Sequence, residues 1–258
     1  MRVSGHLLAA AMLCSLIGCK QAMVVSEFAC PEEVADGASP SSDTTPVTVP
    51  WQSSFENGRC DYTKVAGFCY SWPPASFRVV DSPVHTGQYA VEISLVTGTD
   101  AGPQPQGRCV RQGVLPVEAY YGAWFLIPKA ATQWGLWNLF NFRTRPPNPN
   151  LWDVHLDITT GRLRLYVYSR FLPNDGRSPL SSPVPIGRWF HVVFHWKRAK
   201  DASGAVALYM DDQEVFESTN LATDDSDWGQ WYAGNLASEM EPPECTVYMD
   251  DVTIRSTL

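Results

Sequence analysis

From Trp51 onward, short apolar runs alternate with turn residues, and no long window repeats its apolar positions every 3.6 residues. The period is two. In 151–158, Trp152, Val154, Leu156 and Ile158 fall on one side, and Asp153, His155 and Asp157 on the other. In 162–168, Leu163, Leu165 and Val167 oppose Arg162, Arg164, Tyr166 and Tyr168. In 188–197, Val192, Phe194 and Trp196 oppose His191, Val193, His195 and Lys197. Each run predicts a strand with one dry face and one polar face, the habit of antiparallel sheets. Further strands are predicted at 88–96, 119–127, 136–143, 204–210, 213–217 and 246–254, bounded by Pro, Gly, Asn and Asp. Many short strands at this spacing predict an all-β sandwich or barrel.

The N-terminal pattern is different. Residues 1–18 join a basic Arg2 to an apolar stretch from Leu7 to Ile17, the layout of an export signal. The run Leu16-Ile17-Gly18-Cys19 resembles a bacterial lipobox, which implies cleavage before Cys19 and acylation of its thiol. Residues 19–50 then read as a flexible spacer: Pro31 to Pro50 holds four Pro and no aromatic residue. The expectation is one folded domain, 51–258, held on a membrane of the bacterial cell envelope by N-terminal acyl chains, on its extracytoplasmic side.

Charge narrows the partners. The chain carries 19 Lys+Arg against 27 Asp+Glu, net -8, which argues against nucleic acid. Seven Cys in an exported chain predict disulfides. Cys60 and Cys69 flank a short segment and are the expected pair; Cys109 and Cys245 are set to join distant strands, with Cys30 left over or replacing one of these partners. There is no C-x-x-C, so the spacing is unlike a zinc site.

Several segments, in order, resemble the concanavalin A-like lectin/glucanase superfamily, and within it the heparin-lyase-like polysaccharide lyase branch. They are Ser54-Phe55-Glu56-Asn57-Gly58, Gly87-Gln88-Tyr89-Ala90, Trp124-Phe125-Leu126-Ile127-Pro128, Gly187-Arg188-Trp189-Phe190-His191, and Tyr248-Met249-Asp250-Asp251-Val252. The opening and closing strands are also similar to laminin G-like domains. The resemblance spans about 51–254 and implies a jelly roll of two curved antiparallel sheets whose concave face binds a glycan. It also implies a structural calcium shared by Glu56 and Asp250 or Asp251, since carboxylate oxygens suit that ion.

A polysaccharide lyase must neutralise a uronate carboxylate, remove the C5 proton and protonate the leaving oxygen. His155, Arg164, Tyr166 and Tyr168 are the candidates for that chemistry. Lyases of this fold often carry Arg-x-Glu on an early strand and Gln-x-His on the central one. Here the corresponding text is Arg111-Gln112-Gly113, and Asn138 to Arg143 without a His. A retaining glucanase needs two carboxylates about 5 Å apart, but Asp153 and Asp157 lie about 13 Å apart on one strand face. The expected function is therefore binding of a polysaccharide without cleavage. Trp137, Asn141 and Arg143 share one face of 136–143 and join Asp153, His155, Arg164, Tyr166, His191, His195 and Lys197 as its predicted contacts, with Trp134 and Trp152 as further platforms. The alternatives are a lyase acting by β-elimination on a uronate glycan, and an adhesion domain with a protein partner.

Overall fold

A computed structural model describes residues 46–63, 67–98, 104–145, 149–158 and 161–258. In chain order the strands are β1 (Trp51–Ser53), β2 (Gly67–Trp72), β3 (Ala75–Val80), β4 (Ala90–Val96), β5 (Gln106–Gly113), β6 (Glu118–Leu126), β7 (Thr132–Gln133) and β8 (Trp137–Arg143). They continue as β9 (Asn150–Asp157), β10 (Arg164–Tyr168), β11 (Trp189–Lys197), β12 (Gly204–Met210), β13 (Gln213–Leu221), β14 (Gly229–Ala237), β15 (Met240–Glu241) and β16 (Glu244–Arg255). One short helix, α1 (Cys60–Thr63), lies between β1 and β2.

The strands form two large antiparallel sheets, as a jelly-roll sandwich requires. One runs β13-β12-β11-β6-β16-β4-β3, with β1 also paired to β16. The other has six strands in the order β10-β9-β8-β14-β5-β2. Alternation decides what lies between them. Val192, Phe194 and Trp196 of β11 point inward and meet Phe142 and Trp152 of the six-stranded sheet, with Phe142–Phe194 centroids 4.7 Å apart. Trp152 and Trp196, one from each sheet, both donate their Nε1–H to the Thr223 carbonyl, at 2.8 and 3.2 Å. Large buried rings with their polar handle satisfied are the strongest source of core stabilisation. Trp137 and Trp152, predicted as sugar platforms, are fully buried core residues instead.

Two further expectations change. Pro46 bridges to Val114, and Val47 is buried with its amide donating to the Val114 carbonyl at 3.0 Å, so the body starts before residue 51. The export signal, Cys19, Cys30 and the spacer up to residue 45 lie outside the described residues. Cys69 pairs with Cys109, not with Cys60: the two sit directly opposite each other on β2 and β5, with Cα atoms 4.0 Å apart. Cys60 is disulfide-bonded elsewhere. Cys245 is a free, buried thiol that burial pushes up to about 12, which removes the expected Cys109–Cys245 link.

Candidate active site

The open face of the six-stranded sheet carries a groove of about 750 Å³. Its floor is set by a β-bulge. The β8–β9 register slips between Asn138 and Phe140, so the alternation changes phase inside β8. Asn138, Asn141 and Arg143 therefore line the groove, while Trp137 turns inward and donates its Nε1–H to Asn235 Oδ1 at 2.9 Å. Without the slip, Trp137 would share the face of Asn141 and Arg143, as simple alternation predicted. β14 slips opposite, between Ala233 and Leu236.

A connected polar network fills this floor. Arg108 Nη2 on β5 donates to Asn138 Oδ1 at 2.6 Å. Asn138 Nδ2 and Asn141 Nδ2 both donate to Asp153 Oδ1, at 3.0 and 2.8 Å. Tyr232 on β14 lies between two guanidiniums, with Arg108 Cζ 5.6 Å and Arg143 Cζ 5.8 Å from its ring centre. Its hydroxyl donates to Gln230, whose amide donates in turn to Gln112. Burial raises the Asp153 carboxyl to about 6, against the pull of Arg108, the two Asn donors and Arg143. At neutral pH two guanidiniums thus face one carboxylate, and the groove is cationic in a chain of net charge -8.

His155 stands at the β9 side. Its ring stacks on Tyr166 of β10, centroids 5.1 Å apart, and meets Tyr168 edge-on at 6.4 Å. Burial, first, and then the charges of Arg108 and Arg177 bring its pKa down to about 4, despite a backbone hydrogen bond with Trp137. The ring is neutral at neutral pH. Its Nδ1 is buried with no partner among the described residues, as are Nε of Arg108 and Nε of Arg143. Buried polar atoms are almost always paired. These three atoms belong to residues that line the groove.

The neighbouring edge is closed by the chain after β10. Ser178 Oγ accepts from the Val167 amide and Ser181 Oγ from the Leu165 amide, each at 2.8 Å, so serines satisfy the exposed strand edge. This segment carries Arg177, which reaches over the Tyr166 ring at 4.0 Å and binds Asp157 Oδ2 at 2.9 Å. Arg164, predicted as the substrate cation, donates instead to the Ser181 carbonyl at 2.5 Å and does not line the groove. Tyr166 is buried between neighbours, whereas Tyr168 is 43% exposed and lines the groove.

The remaining predicted contacts lie elsewhere. His191, His195 and Lys197 belong to β11 in the other sheet and point away from the core, because Val192, Phe194 and Trp196 occupy its inner face. His195 Nε2 lies 3.0 Å from Glu118 Oε1, and His191 stacks on Trp124 at 4.9 Å. Trp134 is exposed outside the groove. The proposed calcium carboxylates serve a turn. Glu56 Oε1 accepts from the amides of Gln88 and Tyr89, and Asp250 Oδ2 from those of His85 and Thr86. Asp251 binds the His85 ring and the Thr86 hydroxyl. Among the described residues no group of three or more His, Cys, Asp or Glu is placed to hold a metal, and the structure gives no support for the expected calcium.

Sequence reasoning missed Arg108, Tyr232 and Gln230, because β5 and β14 were not recognised as strands. The signal was there: Gln106, Arg108 and Gln112 alternate on one side of 106–113, but Gly107, Gly113 and polar residues on both sides obscured it. The early-strand motif was sought at Arg111, which faces the other way, bonded to the Tyr62 carbonyl and lying 4.7 Å from the Trp51 ring centre.

Comparison with solved structures finds the same fold in several proteins. The endo-β-1,4-glucuronan lyase of the fungus Trichoderma reesei superposes with a TM-score of 0.61 at 20% identity, over 76% of this chain and 93% of that one. A cellulose induced protein, Cip1, gives 0.56 at 12% identity, over 80% and 97%. The alginate lyase Aly36B, bound to alginate trisaccharide, gives 0.55 at 13% identity, over 82% and 95%. At these identities the likeness is one of fold. No curated protein sequence matches the chain. The polysaccharide lyase family model, however, matches residues 55–253. This overturns the expectation of glycan binding without cleavage and favours the lyase alternative. Together with a β-sandwich whose cationic groove holds a buried neutral histidine, that match assigns the chain to the polysaccharide lyase family.

Proposed function

We propose that the protein is a lyase that cleaves a uronate-containing polysaccharide by β-elimination in the groove of the six-stranded sheet. The observation that carries this reading is the cationic floor, Arg108 and Arg143 beside Asn138 and Asn141, in a groove also lined by His155, whose Nδ1 has no partner among the described residues. A uronate carboxylate seated on Arg143 and the second amide N–H of Asn141 has its charge neutralised, which acidifies the adjacent C5–H. His155 Nδ1, neutral at working pH, takes the C5 proton. Electrons of that bond form C4=C5, the C4–O4 bond breaks, and Tyr168 on the groove wall supplies a proton to the departing O4. Asp153 holds both Asn side chains in place and balances Arg108.

The product carries a C=C bond conjugated to a carboxylate and absorbs in the ultraviolet. Wild-type protein is incubated with glucuronan, alginate and other uronate polymers, and absorbance is followed. Growth with wild type that is lost in His155→Gln and strongly reduced in Tyr168→Phe is expected. A flat trace across the panel from folded protein excludes the lyase. The Cys69–Cys109 disulfide supports an oxidising compartment for this activity, and we propose that Cys19 anchors the enzyme there through acylation. A fatty-acid label absent from wild type, or retained in Cys19→Ser, refutes the anchor.

A further inference from the structure

The two flanks of the groove differ in chemistry. The β9–β10 flank holds His155, Tyr168 and, behind them, Arg177. The opposite flank is the edge strand β2, where Phe68, Tyr70 and Trp72 alternate toward the groove. Their ring centroids are 5.8 and 5.5 Å apart, so they form a continuous rail. Tyr70 is fixed by donating its hydroxyl to Gln106 Oε1 at 2.9 Å. Trp72 is 47% exposed, at the open end of the rail. The other described residues of this flank are Gln104 and Gln106; none of the five carries a charge. The nearest guanidinium, Arg108, is buried and already bonded to Asn138.

We propose that the β2 rail is a subsite for an uncharged sugar, so that the substrate is a heteroglycan in which the cleaved uronate is linked to neutral residues. This rests on the lyase reading above. Aromatic faces carry negative potential, attract C–H edges and disfavour anions. Arg108 stands opposite Tyr70, but the Trp72 end of the rail pairs with Gln106, and a uronate there would bring its carboxylate against the ring face without a counter-ion, which costs free energy. A neutral pyranose presents C–H groups to the rings and hydroxyls to Gln104 and Gln106. The rail lies three inter-strand steps from β8, about 14 Å, so it reads a sugar beyond the cleaved bond. A homopolyuronate would instead call for a cation at every subsite.

The test uses the full chain carrying His155→Gln, which removes the proton acceptor and leaves the rail intact. Binding of two oligosaccharides of equal length is measured by calorimetry, one made only of glucuronate and one alternating glucuronate with a neutral sugar. The alternating oligosaccharide is expected to bind about tenfold tighter or more, and adding Trp72→Ala is expected to erase the difference. Trp72 is half exposed on an edge strand, and a thermal melt checks that the double variant folds. Equal affinities, or a preference that survives Trp72→Ala, overturns the proposal. Failure of the lyase reading shows separately, as wild type that binds either oligosaccharide yet produces no ultraviolet absorbance.

Discussion

The His155 and Tyr166 rings lie parallel within 17°, centroids 5.1 Å apart, and Arg177 covers Tyr166 at 4.0 Å. A guanidinium, a phenol and an imidazole are thus layered from the outer edge of the sheet toward the groove. Arg177 pairs through its backbone with Tyr168 of the groove wall, and its side-chain charge reaches His155 and lowers its pKa, after burial and Arg108. It acts as a positioning residue. Arg177→Ala is expected to move the acid limb of the kcat/KM profile to higher pH, by less than about one unit, because burial is the larger cause. Arg177→Lys keeps the charge and should restore most of the limb while losing the planar stack. A lower rate with an unmoved limb would reduce Arg177 to a purely structural part.

Burial of a neutral imidazole also makes stability depend on pH, with a definite sign. The folded pKa of His155, about 4, lies below its ordinary 6.5, so the unfolded chain binds the extra proton between these values. Stability from this group is present above about 6.5 and is lost as pH falls toward 4. The size is on the order of 3 kcal/mol. Asp153 runs the other way. Its pKa is raised from 3.8 to about 6, so it favours the folded state below 3.8 and loses that contribution as pH rises through 6. Comparing wild type with His155→Gln isolates the first effect. Denaturant melts should show the variant gaining on wild type as pH falls from 6.5 to 4, and a constant difference would contradict the buried neutral state.

How much of this was legible in sequence follows from the same alternation. β9, β10 and β11 show a clean dry side and polar side, and the polar face of β9, with Asp153 and His155, is the one that lines the groove. Alternation within a strand does not say which sheet the strand joins. His191 and His195 match the pattern of His155 equally well, and sit on the opposite surface of the sandwich because β11 pairs with β6 and β12. A bulge is silent as well: nothing in Trp137-Asn138-Leu139-Phe140-Asn141 announces that the phase changes after Asn138. The Cys69–Cys109 link joins residues 40 apart, brought together only by the register of β2 against β5, two strands whose mixed faces hid them.

Asn138 gives a direct test of that bulge. Its side chain spends both ends inside the sheet, accepting from Arg108 and donating to Asp153 and the Phe140 carbonyl. Asn138→Ala leaves the Arg108 Nη2 and one bond to Asp153 without this partner in a buried place. The expected loss is ~1–3 kcal/mol by denaturant unfolding. Asp153 also loses one of the hydrogen bonds that oppose its raised pKa, so its protonation should move to still higher pH, readable by carboxyl NMR titration. If Asn138→Ala is neutral in both measurements, the network is incidental to the floor.

The Cys69–Cys109 bridge ties the aromatic rail to the strand that carries Arg108, so its removal separates stability from recognition. A sequence separation of 40 corresponds to about 4 kcal/mol of restricted unfolded-chain entropy. Cys69→Ser is expected to lower global stability by up to that amount. The rest of β2 keeps its ladder to β5, from Gly67↔Arg111 to Trp72↔Gln106, and so remains in register. Because β2 is an edge strand with a neighbour on one side only, its local opening should become easier than that of β8 or β9. Hydrogen exchange should then rise first at the amides of Phe68 to Trp72, while those of Asn138 and His155 stay protected. Uniform acceleration along all six strands would mean that the sheet opens only as a whole, and that the bridge acts on the unfolded state alone.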